Sequence, residues 1–265
     1  MGSLADVSAL AREIKGCVRC PDLSAEMRRC CALPSVGRGS ASAPILVLGS
    51  APTMSDACPD FGHGRPWAGQ AGWRLAQMLA HALHHAGLVD SELADVFSSR
   101  PDGRAGQDAS AAYRERLWGS LERAFFFCNH VRCVPTSDAS HGPARRACAP
   151  WTHRTIYAVD PVLVLAIGRG VAADLLGVSP DMSTAREPGK LYEAHIPSPV
   201  TGKPVAYGVV VLETMQRLIE ANDAKTIKTK GAHHQWCVQA ACALSVASGV
   251  MRAAGTDGLW DKRLA

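Results

Sequence analysis

The chain has 265 residues, ten cysteines, a hydrophobic fraction of 47% and a formal net charge of +4. This composition excludes disordered, collagen-like and small disulfide-stapled proteins, because it supplies enough apolar side chains for a core without covalent cross-links. A net charge this small permits nucleic-acid binding without requiring it.

The first fifteen residues predict a cytoplasmic protein. They have the apolar spacing of a helix from Leu4 to Lys15, but Asp6, Arg12 and Glu13 interrupt the apolar stretch that a secretory signal needs. No segment predicts a membrane span. In a reducing compartment the cysteines should be free thiols, some packed as small apolar side chains and others serving as ligands of a metal or cluster.

Four apolar runs of strand length predict strands that are buried on both faces of a sheet. They are Pro44–Gly49, Ala124–Asn129, Pro161–Gly168 and Tyr207–Leu212. Helical patterns lie between them and after them, at Gly72–Ala86, Ala111–Arg123, Pro143–Val159, Arg169–Leu176 and Gly231–Ala254. A Pro-, Ser- and Gly-rich segment, Ser179–Gly202, is predicted to be a loop.

This alternation predicts a three-layer α/β/α fold with a central four-stranded parallel sheet. We expect one domain over residues 1–265. Ligands of such sheets bind beyond the carboxyl ends of the strands, which are followed by the loops that begin at Gly49, Asn129, Gly168 and Glu213.

Two separated cysteine pairs could form one site. Cys17 and Cys20 have two residues between them, and Cys133 and Cys148 have fourteen. Four thiolates suit zinc or an iron-sulfur cluster, and the wide second pair favours the cluster, because structural zinc usually takes two tight pairs. The alternative is four unrelated buried thiols. The other six cysteines are predicted to be packing thiols.

Several ordered motifs surround these cysteines. After Cys17-x2-Cys20 come Val36-Gly37-Arg38-Gly39, Gly49-Ser50-Ala51-Pro52-Thr53, Gly64-Arg65-Pro66-Trp67-Ala68-Gly69-Gln70-Ala71-Gly72, Asn129-His130-Val131-Arg132-Cys133 and Cys148. In this set the chain resembles family 4 uracil-DNA glycosylases, the iron-sulfur branch of the uracil-DNA glycosylase superfamily, from about Ala11 to Ala254.

The resemblance implies that a nucleotide is flipped out of DNA and that its N-glycosidic bond is hydrolysed. Cys17, Cys20, Cys133 and Cys148 would hold a 4Fe-4S cluster, with zinc as the alternative, in a subregion formed by residues 11–35 and 130–150. The base-binding residues would be Trp67, Asn129, Ala51 and Pro52. Trp67 would stack on the base and Asn129 would bind its edge; an amide has both a donor and an acceptor, so it fits a pyrimidine without selecting uracil.

The sequence departs from the family in two motifs. Ser50 replaces a glutamate and Thr53 a glycine in the first motif, and Leu212–Arg217 lacks the His-Pro pair that should follow the last strand. Base loss needs stabilisation of the leaving base and a positioned water molecule. The predicted catalytic residues are therefore Asp56, which could orient water, Gln216, which could donate a hydrogen bond to the leaving base, and Ser50.

These observations predict a DNA glycosylase for a modified pyrimidine, of the kind found in phage DNA. A uracil-DNA glycosylase of base-excision repair and a catalytically inactive DNA-binding relative are the alternatives. The expected partner is DNA, with no membrane, and the expected state is a monomer. The predicted DNA-binding residues are basic side chains near the strand-end loops, namely Arg65, Arg132, Arg217, Lys228 and Lys230.

Overall fold

The structure, a computed structural model, describes residues 4–58, 65–98, 111–135, 138–178, 189–215, 227–256 and 259. The helices are α1 (Leu4–Lys15), α2 (Pro21–Arg29), α3 (Met54–Ala57), α4 (Gln70–His85), α5 (Ser91–Ser98), α6 (Ala111–Ala124), α7 (Asp138–Val159), α8 (Arg169–Leu176) and α9 (Ile227–Ala253). The strands are β1 (Arg38–Gly39), β2 (Ile45–Gly49), β3 (Phe125–Asn129), β4 (Leu163–Ile167), β5 (Leu191–Pro197) and β6 (Pro204–Leu212).

These strands form a mixed sheet with the order β1-β3-β2-β4-β6-β5. The inner strands β3, β2, β4 and β6 run parallel, as the apolar runs predict. The edge strands β1 and β5 pair antiparallel with their neighbours, so the described part of the chain forms a sheet of six strands rather than four.

The prediction of a loop over Ser179–Gly202 is wrong for β5. In this edge strand Ala194 and Ile196 are buried, whereas Glu193 and His195 face solvent. An edge strand with one wet face needs only alternate apolar residues, and this short alternation is obscured by the surrounding prolines and glycines.

Alternate residues of each inner strand serve two different cores. Ile45 and Val47 of β2 pack with residues of α4, α6 and α9, whereas Leu46 and Leu48 pack with residues of α7 and α8. Both faces of the sheet are therefore covered by helices, which gives the expected three layers.

A third apolar cluster joins the N-terminal helices to α7. It includes Leu10 and Ile14 of α1, Leu23 and Met27 of α2, and Trp151 of α7. No helix in the described part of the chain has both the length and the apolar character needed to cross a membrane.

Phe127 of β3 tests the larger core. Its side chain is fully buried, and its ring lies 5.0 Å from that of Trp118 in an edge-to-face arrangement. We expect Phe127→Ala to lower the free energy of unfolding by about 3–5 kcal/mol through lost burial and a cavity. Val200→Ala, at a side chain that is 77% exposed, should change it by less than about 0.5 kcal/mol in the same urea titration. Equal effects would contradict the described core.

Candidate active site

The sheet topology creates a crevice between β2 and β4. Helices α4 and α6, which follow β2, cover one face of the sheet, whereas α8, which follows β4, covers the other. At the carboxyl ends of these strands lies a pocket of about 520 Å³. Its walls come from the loop after β2, from Asn129 at the end of β3, from Ile167 at the end of β4, and from Thr214 and Met215 after β6. The pocket therefore forms where parallel sheets bind ligands.

Trp67 forms one wall of this pocket in a strained backbone conformation. Its φ is 64°, a left-handed value that is costly for a bulky side chain. A Cβ atom at Gly72 would overlap the carbonyl of Trp67, so only glycine lets the first turn of α4 approach this turn so closely. A Cβ at Gly49 would likewise overlap the Trp67 ring and come within 2.6 Å of Asn129 Oδ1. The three residues are thus in close contact around Gly49.

Asp56 connects the loop after β2 to the Trp67 turn. Its side chain is 5% exposed, and Oδ2 accepts hydrogen bonds from Thr53 N at 2.8 Å and from Thr53 Oγ1 at 3.0 Å. Oδ1 accepts hydrogen bonds from Ala68 N at 2.6 Å and from Gly69 N at 3.4 Å. This carboxylate lines the pocket, but both of its oxygens are already bonded to the protein. The geometry gives it a positioning role; a role in orienting water stays a prediction.

Two buried polar atoms of the pocket have no hydrogen-bond partner among the described residues. They are Nδ2 of Asn129, a side chain that is 2% exposed, and Nε1 of Trp67. A buried donor without a partner is costly, so donors of this kind in a pocket indicate a missing ligand or water. The pocket thus offers donors and an aromatic ring to a flat polar molecule.

The other predicted pocket residues differ in where they lie. Ser50 and Ala51 line the pocket, whereas Pro52 is buried beside it. Gln216 lies outside the described residues. Hydroxyl groups of Thr53, Ser55 and Thr214 also line the pocket, although the sequence did not single them out as site residues. Isolated serines and threonines carry no distinctive sequence signal, which is why they were missed.

Two further charged groups near the pocket are already engaged. Glu213, which follows β6, lies 3.2 Å from Arg169. His130 is 1% exposed, and its Nε2 lies 3.2 Å from Asp174 Oδ2. Burial lowers the pKa of His130 to about 4, against the attraction of Asp174, so the imidazole is neutral at neutral pH. It does not replace the missing histidine of the family as a positive charge.

The predicted DNA-binding residues include one error. Arg65 is exposed, two residues before Trp67. Arg132 is 1% exposed and donates from Nη2 to Thr155 Oγ1 at 2.8 Å, so the prediction that it contacts DNA is wrong. Its side chain turns inward beneath α7. The sequence alone does not distinguish such a buried arginine from one at the surface. Arg217 lies outside the described residues, as do the side chains of Lys228 and Lys230 in the first turn of α9.

The four cysteines predicted as ligands lie in one apolar cluster between α1, α2 and α7. Burial, and then repulsion by the Cys148, Cys17 and Cys20 thiolates, raises the pKa of Cys133 to about 12. The bare Cys133 thiol therefore stays protonated at neutral pH, and a bound cation would remove this penalty. Trp151 Nε1 donates to Cys17 Sγ at 3.3 Å.

The donor set fits a metal–thiolate group. Within the described ranges, no three His, Cys, Asp or Glu side chains converge on a position for a single ion. Four cysteine thiolates are the ligand set of an iron-sulfur cluster and of some structural zinc sites. The four thiols lie in one apolar cluster, and Cys17 already accepts an N–H hydrogen bond, so their donor chemistry fits either group.

The other six cysteines divide into two groups. Cys128 and Cys237 are buried, as predicted for packing thiols, and Cys58 is half-buried. Cys30, Cys31 and Cys242 are exposed, so the same prediction is wrong for them. Cys30 and Cys31 follow α2 and are exposed to solvent in the described structure.

A larger cavity of about 860 Å³ lies elsewhere, between α1, α7 and the β5–β6 hairpin. Glu13 and Arg154 form an ion pair at 2.7 Å on its wall. None of the residues from the sequence motifs lines this cavity, so we assign the chemistry to the smaller pocket.

Comparison with known proteins gives one family. The model of the uracil DNA glycosylase superfamily matches residues 36–235, a range that contains every described residue lining the Trp67 pocket. No curated protein matches the chain.

Asp56→Asn tests how the pocket is built. An amide nitrogen would replace one acceptor oxygen and face backbone N–H donors, so we expect unfolding to become easier by about 1–3 kcal/mol. The Trp67 turn should loosen as well. Asp95→Asn, on the exposed side of α5, is the matched control and should have little effect. Urea unfolding of both variants measures this difference, and equal stabilities would refute the positioning role of Asp56.

Proposed function

The chain belongs to the uracil-DNA glycosylase superfamily, and from this premise we propose that it is a DNA glycosylase that excises a modified pyrimidine. One observation carries the proposal. Asn129 Nδ2 and Trp67 Nε1 are buried donors without described partners, and both residues line one pocket at the carboxyl edge of the sheet.

The pocket suits a base that has left the duplex. A flipped base brings a flat ring and a polar edge into its site. The Trp67 ring offers a stacking surface, which contributes about 1–3 kcal/mol per base in such sites. The Asn129 amide offers a donor and an acceptor to the edge of the base. Arg65, exposed beside the Trp67 turn, would contact a phosphate at the mouth of the pocket.

The chemistry requires breakage of one carbon–nitrogen bond. The base nitrogen leaves with the electron pair and gains a proton, and a water oxygen adds to the anomeric carbon and loses a proton. Asn129 Nδ2, a buried donor without a described partner, would stabilise charge on the leaving base. The Ser50, Thr53 and Thr214 hydroxyls would hold the water, and Gln216 would add a further donor.

The altered motifs support a modified base as the substrate. Ser50 and Thr53 differ from the family residues in the loop that faces the sugar and the base, whereas Trp67 and Asn129 are kept in place by Gly49, Gly72 and Asp56. The departures from the family thus lie in the loop around the proposed base, whereas the two proposed base-binding residues are kept. Modified pyrimidines occur in foreign DNA such as that of phages, so defence against it is the proposed biological role.

A 4Fe-4S cluster on Cys17, Cys20, Cys133 and Cys148 is part of the proposal, with zinc as the alternative. Such a group supplies a structural cross-link between distant parts of the chain. The chain's own residues transmit this support to the pocket. Val131 N donates to Ser50 O at 2.9 Å, and Val131 and Ala51 both pack in the cysteine cluster.

A DNA-binding protein without catalysis is the second candidate. It is favoured by the bonding of Asp56, since each of its oxygens already accepts hydrogen bonds from the protein. A protein of this kind would bind DNA in a salt-dependent way and leave the base attached. A uracil-specific repair enzyme would differ from the proposed enzyme only in its substrate. The excision experiment below distinguishes the two.

Excision is tested with DNA duplexes and single strands that contain uracil, hydroxymethylated or glucosylated pyrimidines, or unmodified bases. We expect alkali-labile sites in at least one modified DNA. Asn129→Ala should reduce kcat by about 100-fold or more, since it removes a donor to the leaving base. Trp67→Ala should weaken binding of the flipped nucleotide by about tenfold or more. Val200→Ala, at an exposed side chain that does not line the pocket, should behave like the wild type.

Two outcomes would overturn this proposal. Salt-sensitive binding to every DNA without any alkali-labile product would assign the chain to the binding class. Cleavage confined to uracil would replace the modified-base assignment with uracil repair.

The cofactor has its own test. We expect anaerobically purified protein to be brown, with broad visible absorbance and with iron and inorganic sulfide in equal amounts. Cys133→Ser should lose both, whereas Cys242→Ser, at an exposed thiol, should keep them. Colourless protein with stoichiometric zinc would support the alternative, and protein without metal would contradict both.

A further inference from the structure

A groove lined by histidines lies between α4 and α9. It encloses about 210 Å³, and none of its lining residues also lines the Trp67 pocket. Five of the ten histidines of the chain lie on these two helices, namely His81, His84, His85, His233 and His234. The proposed chemistry of the Trp67 pocket uses none of them.

One wall of the groove follows from the spacing of residues on α4. Arg74, Met78, His81 and His85 are separated by four, three and four positions, so they lie along one face of the helix. Arg74 comes one turn after Gln70, which lines the Trp67 pocket, whereas His85 is the last residue of α4. The groove therefore leads away from the Trp67 pocket along this helix.

The opposite wall comes from the first turns of α9. His234 faces His85, with the two ring centres 6.0 Å apart, and both side chains are exposed. Cys237 and Met78 are buried below them, where Cys237 Sγ lies 3.8 Å from the Met78 carbonyl oxygen. The groove thus has an apolar floor and imidazoles on both sides.

The polar groups of the groove are mainly hydrogen-bond donors. The Arg74 guanidinium keeps its positive charge and has five N–H groups, and an imidazole has at least one N–H in either protonation state. The Gln77 amide adds another donor. Among the described residues that line the groove there is no Asp or Glu. A ligand with negative charge and several acceptor oxygens therefore fits this wall chemistry.

A metal ion fits the same residues less well. The fixed charge of Arg74 would repel a cation. In the described part of the chain, no group of three His, Cys, Asp or Glu side chains is arranged to hold one ion. Burial raises the pKa of Cys237 to about 11, so this thiol stays protonated at neutral pH. The groove therefore favours an anion.

We propose that the groove between α4 and α9 binds a phosphoryl group, with Arg74 supplying the charge and His85 and His234 donating from opposite walls. Arginine bonds phosphate oxygens through two parallel N–H groups, and such charge-assisted bonds are the strong ones. The enclosed volume is below the range of about 300–1,000 Å³ that is usual for larger organic ligands, so it suits one phosphate group.

Two sources of this group have the same chemistry. One is a free phosphate compound. The other is the backbone of DNA bound at the Trp67 pocket, because Arg74 lies only about 6 Å along α4 from Gln70. The inference does not depend on base excision, and only the second source rests on the DNA binding of the proposed function.

The experiment uses the full-length protein and matched substitutions inside and outside the groove. Arg74→Gln removes the charge, and the double substitution His85→Gln with His234→Gln removes the facing imidazoles. Arg252→Gln, at an exposed residue near the far end of α9, is the control for charge. His195→Gln, at an exposed residue of β5, is the control for an imidazole. The exposed histidine pair keeps the test usable should Arg74→Gln fail to fold.

Inorganic phosphate is the first probe. Proton nuclear magnetic resonance follows the imidazole signals during the titration, and the signals of His85 and His234 are identified by their loss in the single variants. We expect both signals to shift to saturation. Arg74→Gln should weaken phosphate binding by about tenfold or more, and the histidine pair by about fivefold or more. The two control variants should stay within about twofold of the wild type.

Unmodified duplex DNA without free phosphate is the second probe. A DNA phosphate in the groove predicts shifts of the same two signals and a salt dependence of DNA affinity that is smaller by about one unit of slope in Arg74→Gln. A free phosphate compound as the natural ligand predicts that DNA leaves both signals unchanged while inorganic phosphate moves them. Either result supports the phosphoryl site and identifies its source.

Two results would overturn the inference. One is that the His85 and His234 signals respond to neither phosphate nor DNA, and the other is that the groove variants and their controls lose affinity equally. Phosphate binding in a protein that excises no base would support the groove and refute the glycosylase. Excision by a protein that fails the phosphate test would refute the groove alone.

Discussion

The carboxylate of Asp56 is the interaction on which the pocket depends. It bonds the start of α3 on one side and the backbone after Trp67 on the other. Together with the packing of Trp67 against the larger core, it offsets the left-handed backbone of Trp67, whose strain must be balanced by surrounding contacts. Gly49 and Gly72 complete the arrangement, because a side chain at either position would displace Trp67. One carboxylate and two glycines thus position an aromatic ring against Asn129.

The cysteine cluster packs against the loop after β2, which lines the pocket. Ala51 packs in the cluster, and the backbone bond between Ser50 and Val131 joins the pocket loop to the segment that leads to Cys133. A metal centre on the four thiols would fix α1, α2 and α7 to each other and hold this segment still.

Sequence patterns predicted the elements that are buried on both faces. Ile45–Gly49 and Phe125–Asn129 are continuous apolar runs of five residues, a length typical of buried strands rather than of buried helices. They did not predict β5, whose two buried positions, Ala194 and Ile196, form too short an alternation to stand out. Helix α2 was missed for a similar reason, since only Leu23 and Met27 mark its apolar side.

The sequence predicted those pocket residues for which the type of amino acid alone is informative. Trp67 and Asn129 were found because an aromatic ring and an amide stand at motif positions, and the structure brings them together around Gly49. Orientation was not predictable. In the sequence, Arg132 looks like a surface cation and Asp56 like a loop acid. In the structure both are buried: Arg132 is an internal charge, and Asp56 holds the backbone after Trp67 by hydrogen bonds. A side chain's role depends on neighbours that are distant in sequence, such as Thr155 and Ala68.

The central claim is that this pocket releases a base from DNA. The most direct measurement is mass spectrometry of the small molecules set free when the protein acts on DNA rich in a modified pyrimidine. We expect the free modified base, in an amount equal to the abasic sites left in the strand. Protein-bound DNA that retains every base, with no free base in solution, would contradict the account.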